Sequence, residues 1–124
     1  MKAKLIQWIA IGLILEIGLI HIFNAQAEFE EAEYMGYLFA ANFFGALIAA
    51  LGIYHKQVWG WMLGLVIAAG SIAGYCWSRT LGMPEMNVEE WLTPFGLVSL
   101  GIEGAFILLV LFRPWKISSC RSRR

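Results

Sequence analysis

Four apolar stretches constrain this chain more than any other feature: Leu5 to Phe23, Met35 to Tyr54, Val58 to Ser78 and Phe95 to Phe112. A helix needs roughly 20 apolar residues, at about 1.5 Å rise each, to cross the roughly 30 Å hydrocarbon core of a bilayer. Each stretch has that length. A chain of 124 residues has too little interior to hide four such segments from water. Membrane strands are a poor alternative, because they need about ten residues alternating with period two and these runs show no such period. The expected fold is all-α: one domain, a polytopic membrane protein of four transmembrane helices (about 5–23, 35–54, 58–78 and 95–112) in an up-and-down bundle. Composition agrees, with 60% hydrophobic and 15% charged residues against about half and about a quarter in soluble domains.

The charges orient the bundle. In a four-pass arrangement Lys2, Lys4, Lys56, Arg113, Lys116, Arg121, Arg123 and Arg124 fall on one side, and Arg79 alone falls on the other. By the positive-inside rule both termini are expected in the cytoplasm, with residues 113–124 a basic cytoplasmic tail beside the inner leaflet. The opposite face carries Glu28, Glu30, Glu31, Glu33, Glu85, Glu89 and Glu90, so the zero formal charge conceals a strongly polarised molecule. Trp8, Tyr54, Trp59, Trp61 and Trp115 mark the inner boundary, and Tyr34, Tyr37, Trp77 and Trp91 the outer one, as amphipathic rings do at membrane surfaces. The start "MKAK", an apolar run and "NAQA" resemble a secretory leader with its cleavage site. Glu16 within the supposed leader core, and the spanning length of that core, favour retention.

Cys76 and Cys120 lie on opposite sides of the bilayer in this arrangement and cannot bridge within one chain. Two longer outer connections are expected, Asn24 to Tyr34 and Arg79 to Pro94, against a tight inner turn at "HKQ". Gly82 and Pro84 break any helix, and Pro94 suits the first turn of helix four. A shift of 59 places aligns Glu30, Glu31, Leu38, Gly45, Ala46 and Ile48 with identical residues Glu89, Glu90, Leu97, Gly104, Ala105 and Ile107, a faint echo of two related hairpins. On helix three Gly60, Gly64, Ala68, Ser71, Gly74 and Ser78 recur every three or four residues, a smooth stripe along which another helix can approach closely.

Polar residues within the apolar runs are the candidate site. Counting from the expected outer ends, Glu16, Asn42 and Ser71 lie about 10 Å deep and Glu103 about 13 Å, with Ser99 one turn above Glu103. These five are expected to form one polar layer, with Tyr75 and Arg79 just above it on helix three. Ionisable groups at membrane depth usually face the bundle interior, so the layer is read as an interhelical hydrogen-bond network or a functional pocket, with a coincidence of depth as the remaining alternative. Two carboxylates in one low-dielectric space would disfavour double ionisation. His21, five residues beyond Glu16, is expected to turn away from this face. His55 is at the other surface, so the two histidines cannot share a haem or a metal ion. His21 with Met83 and Met86 could at most suit copper, and no metal site is assigned.

No phosphate-binding glycine loop, nucleophile elbow or His-rich helix occurs, so no catalytic residue is assigned. The basic residues are confined to membrane-flanking positions, which argues against nucleic acid. The segments "FEEAEYMGYLFAANFFGA", "SRTLGMP" and "EEWLTPFGLVSLGIEGAF" resemble a group of small, uncharacterised four-helix bacterial integral membrane proteins. The likeness spans Glu28 to Phe106 and picks out Glu30, Glu31, Asn42, Ser78, Arg79, Gly82, Pro84, Trp91, Pro94 and Glu103. It implies the four-helix architecture and no activity. The expectation is an accessory or assembly-type protein of the bacterial plasma membrane with an outward-opening polar pocket, working as a homo-oligomer or in a larger membrane complex. One alternative is a small carrier or proton-linked transporter using Glu16 and Glu103. Another is a subunit of a respiratory or redox complex, where a quinone or haem would belong to the larger assembly and not to this chain's own cofactor complement.

Overall fold

A computed structural model describes residues 2–84, 90, 91 and 93–113. Among these residues there are four helices and no strand: α1 (Lys2–Glu31), α2 (Glu33–Tyr54), α3 (Val58–Thr80) and α4 (Pro94–Phe112). By length and composition α1, α2 and α3 can each cross a membrane, and α4 is shorter. The tail beyond residue 113, with Cys120, and Glu85, Met86 and Glu89 lie outside the described residues.

Consecutive helices are antiparallel. Gln7, near the start of α1, reaches the end of α2, where its Nε2 donates to the carbonyls of Ile53 and Tyr54 at 3.0 Å each. Those carbonyls belong to the last turn of α2, where the intrahelical pattern runs out, so the buried Gln7 amide helps to cap the helix. Gly52 of α2 meets Gly60 of α3, and Gly64 of α3 meets Phe106 of α4. The bundle closes with α1 beside α4, while α2 and α4 lie diagonally apart with no close approach among the described residues. The start of α1, the end of α4 and the α2–α3 turn therefore share one end, called here the terminal end; the α1–α2 and α3–α4 connections make the loop end.

The first helix overruns its expected end. In place of a connection from Asn24 to Tyr34, α1 continues through Glu31 and a single residue, Ala32, separates it from α2, with extended φ −153° and ψ 122°. The run "NAQAEFEE" contains neither Gly nor Pro and is rich in Ala, Gln and Glu, which propagate a helix once it has begun. Gly36 makes so short a turn possible, because a side chain there would collide with Phe29.

The other boundaries have local causes. At the "HKQ" turn Gln57 N–H donates to Gly52 O and Lys56 N–H to Ile53 O, both at 2.9 Å, the paired bonds of a Schellman stop. Lys56 takes the left-handed conformation this requires, φ 61°. Gly82 does the same after α3 with φ 82°. Pro94 opens α4, and the Thr93 hydroxyl accepts from Gly96 N at 3.2 Å as an N-cap.

The apolar core occupies the terminal half. Ile14, Ile17, Ala46, Ala49, Ile53, Ala68 and Phe106 are fully buried, with Trp61 and Val110 nearly so. At its edge Arg113 lies over the Trp61 ring, 4.4 Å from the centroid, a cation–π contact joining the ends of α3 and α4. The echo at 59 residues does not correspond to two alike hairpins. Ala46 is fully buried and Ala105 exposed, a side chain at Gly45 would touch Ile67 and one at Gly104 nothing, and one hairpin turns through a single residue while the other has a long loop.

Candidate functional site in the loop half of the bundle

Above the core the helices stand around a cavity of about 620 Å³. Its lining includes Ile20, His21, Asn24 and Glu28 of α1, Met35, Leu38, Phe39 and Asn42 of α2, and Val66, Ile67, Ser71, Gly74, Tyr75, Ser78 and Arg79 of α3. Met83, Thr93, and Gly96, Ser99 and Glu103 of α4 complete it. The small stripe of α3 explains why the space exists. Gly60 and Gly64 let neighbours close in, whereas an added side chain at Gly70 or Gly74 would meet nothing within 4 Å.

Two polar pairs form the floor. Asn42 Nδ2 donates to Ser71 Oγ at 2.9 Å, tying α2 to α3. The other amide atom of Asn42, Oδ1, is buried and has no hydrogen-bond partner among the described residues. On α4, Ser99 Oγ donates to Glu103 Oε2 at 2.7 Å, an i, i+4 pair on one helix face. Glu103 is 2% exposed, and among the described residues no cation pairs with it. Given the packing of Gly64 on Phe106 and Tyr75 on Gly96, Ser99 is level with Ser71 and Glu103 with Ile67 and Ala68 about one turn below, so both pairs meet at the cavity floor.

The mouth is built from α3 and the following loop. Arg79 stacks over the Tyr75 ring at 3.8 Å and donates Nε to Glu90 O at 2.9 Å and Nη1 to Ser78 Oγ at 2.7 Å. The Tyr75 hydroxyl donates to Trp91 O, Tyr34 OH to Pro84 O at 2.7 Å and Trp77 Nε1 to Gly82 O at 3.1 Å. Four side chains thereby anchor Gly82, Pro84, Glu90 and Trp91 of the connection to the helices. Arg79 stands roughly 17 Å of helix axis above the level of Glu103, so the positive and negative groups mark opposite ends of the cavity.

Of the seven residues expected in the polar layer or just above it, Asn42, Ser71, Tyr75, Arg79, Ser99 and Glu103 line this one cavity. Glu16 does not; it is exposed on another face of α1. The helix continuing to Glu31 places Glu16 about 12 Å deeper than a helix ending at Phe23 would. Packing of Gly18 on Phe43 and Ala46 sets His21, not Glu16, level with Asn42. His21 is therefore the α1 member of the layer, correcting the expectation that it turns away. Its Nδ1 donates to Ile17 O at 2.8 Å and its ring lies 4.8 Å from that of Phe39. The five-residue spacing did put Glu16 and His21 on different faces; only the choice between the faces was reversed. Met83 shares the cavity with His21, and among the described residues no three His, Cys, Asp or Glu side chains cluster to hold a metal.

The arrangement accepts hydrogen bonds at its floor, presents apolar walls at Ile20, Leu38, Phe39, Val66 and Ile67, and carries a guanidinium at its rim. Comparison with family models, with curated proteins and with solved structures gave no match.

Proposed function

We propose that this is an accessory-type integral membrane protein of the bacterial plasma membrane whose cavity holds a small amphipathic ligand by a hydrogen-bond-donating or cationic head group. All four helices span in this reading: α4, at 19 residues, gives about 28 Å of helix. The terminal end, with Lys4, Lys56 and Arg113, is cytoplasmic by the positive-inside rule, and the cavity opens to the outside.

The observation that carries the proposal is Glu103: a carboxylate 2% exposed at the floor of a cavity with apolar walls. An ionisable group at such depth is costly unless something compensates it. A volume of about 620 Å³ lies within the usual range of small-molecule sites, about 300 to 1,000 Å³. The supporting second acceptor is Asn42 Oδ1. A carrier passing protons between Glu16 and Glu103 would need both acids in one cavity, and Glu16 faces elsewhere.

The test is thermal unfolding of the protein in neutral nanodiscs with dodecylamine, dodecanol or dodecyl sulfate. Dodecylamine should raise the melting temperature and the sulfate should not, and Glu103→Gln should remove the rise. Equal shifts from all three amphiphiles, or a rise unaffected by Glu103→Gln, would refute the proposal. Orientation is tested separately with Cys76 and Cys120 replaced by Ser. Glu90→Cys should react with an impermeant maleimide in intact cells, and Lys56→Cys should not.

A further inference from the structure

Glu16 lies in the middle of α1, a helix of 30 residues. The nearest Lys, Arg, Asp or Glu along that helix are Lys4 and Glu28, each about 18 Å away along the axis. A glutamate side chain cannot span that distance to reach a membrane surface. Glu16 is exposed on the bundle exterior, and among the described residues it makes no hydrogen bond or ion pair. Exposed residues above and below it, Ile9, Gly12, Leu19 and Phe23, continue one stripe along α1. A side chain at Gly12 would meet nothing within 4 Å, leaving a notch one turn below the carboxylate. If α1 crosses the bilayer, this face would put a carboxylate into hydrocarbon, where an ionisable group is costly unless it is paired.

From this we infer that the Glu16 face of α1 is an intramembrane docking surface for a transmembrane helix of a different protein, one that carries a lysine or arginine at mid-membrane depth. The occupant follows from charge complementarity. In a two-fold pair of copies the same face meets itself, bringing two Glu16 carboxylates together without a counter-charge. Pairing with another face of a second copy fails too, because the exposed residues level with Glu16 are Leu47, Ile48, Leu51, Met62, Val66 and Leu108. None of them can neutralise a carboxylate. The notch at Gly12 lets a partner backbone approach closely enough for a basic side chain to reach Glu16 from alongside.

The inference rests on α1 spanning the membrane, and impermeant maleimide in intact cells tests that crossing independently of any partner: Glu30→Cys at one end of α1 should react and Lys4→Cys at the other should not. The direct test places a photo-reactive benzoylphenylalanine at Leu19 in the full chain in its native membranes, with a control at Val66 on α3. Leu19 should give one discrete adduct and Val66 none. Peptide mapping of the adduct should find an apolar segment of another protein with a Lys or Arg within one turn of the cross-link. Glu16→Gln and Glu16→Leu should each reduce the adduct at least tenfold while melting in detergent as the parent does. The inference is overturned by an adduct of twice the chain mass, by a mapped segment without a basic residue, or by an adduct insensitive to Glu16→Leu. It is equally overturned if Glu16→Gln unfolds the isolated protein, since Glu16 would then serve its own bundle.

Discussion

The terminal and loop halves of α3 use the same residue type for opposite ends. In the terminal half glycine removes space: a side chain at Gly60 would lie 2.5 Å from the backbone of Gly52 and Ile53, and one at Gly64 would lie 2.6 Å from Phe106. In the loop half Gly70 and Gly74 continue the same helix, yet nothing fills the room beside them, and the cavity lies there. Small residues permit close approach without enforcing it. What fills or spares the space is the facing helix: Phe106 and Ile14 at the level of Gly64, against Ser99 and Asn42 higher up.

The comparison breaks most visibly at Gly60. Gly60→Leu should destabilise the bundle by about 3 kcal/mol, because overpacking against backbone has no side chain to displace; unfolding in mixed micelles measures it. Unchanged stability would mean that α2 and α3 do not touch there. A smaller effect is expected at the cavity floor. Glu103→Ala removes the acceptor of the Ser99 hydroxyl and should cost about 1 to 2 kcal/mol, whereas Glu103→Gln keeps an amide oxygen in its place and should fold almost as the parent. Equal losses from the two would show that the carboxylate's charge, rather than its acceptor, stabilises the fold. The smallest change in stability is expected at Gly74. Gly74→Leu on the same helix should stay within about 1 kcal/mol of the parent, with helix propensity in its favour. It should nonetheless abolish the dodecylamine-induced rise in melting temperature by filling the cavity. A loss of stability matching that of Gly60→Leu would erase the distinction between the halves.

Much of this was legible in the chain itself. The four apolar runs coincide with α1 to α4 to within a few residues except at the end of α1, and Pro94, Gly82 and the "HKQ" turn stand at helix boundaries. Depth within a run located six of the residues that line the cavity. It failed at Glu16 because depth was counted from an end the helix does not have: apolarity marks where a segment suits lipid, while helix continues wherever no residue stops it. Gln7 carried a legible hint, an amide in an apolar run, but its partners are carbonyls of α2, which are distant in sequence.

Local interactions of the residues themselves thus determined that this chain is helical, where most of its helices stop, and how deep the polar groups of α2, α3 and α4 lie. They act over one or two turns and are written in consecutive residues. Tertiary packing decided which side of α1 faces inward, and with it that His21 and not Glu16 joins Asn42, Ser71, Ser99 and Glu103. Residues five apart on a helix differ by about 140°, and both faces of α1 are apolar enough to lie inward. Periodicity cannot choose between them when lipid and protein interior are equally apolar. The close fit of Gly18 on Ala46 and Phe43 made that choice.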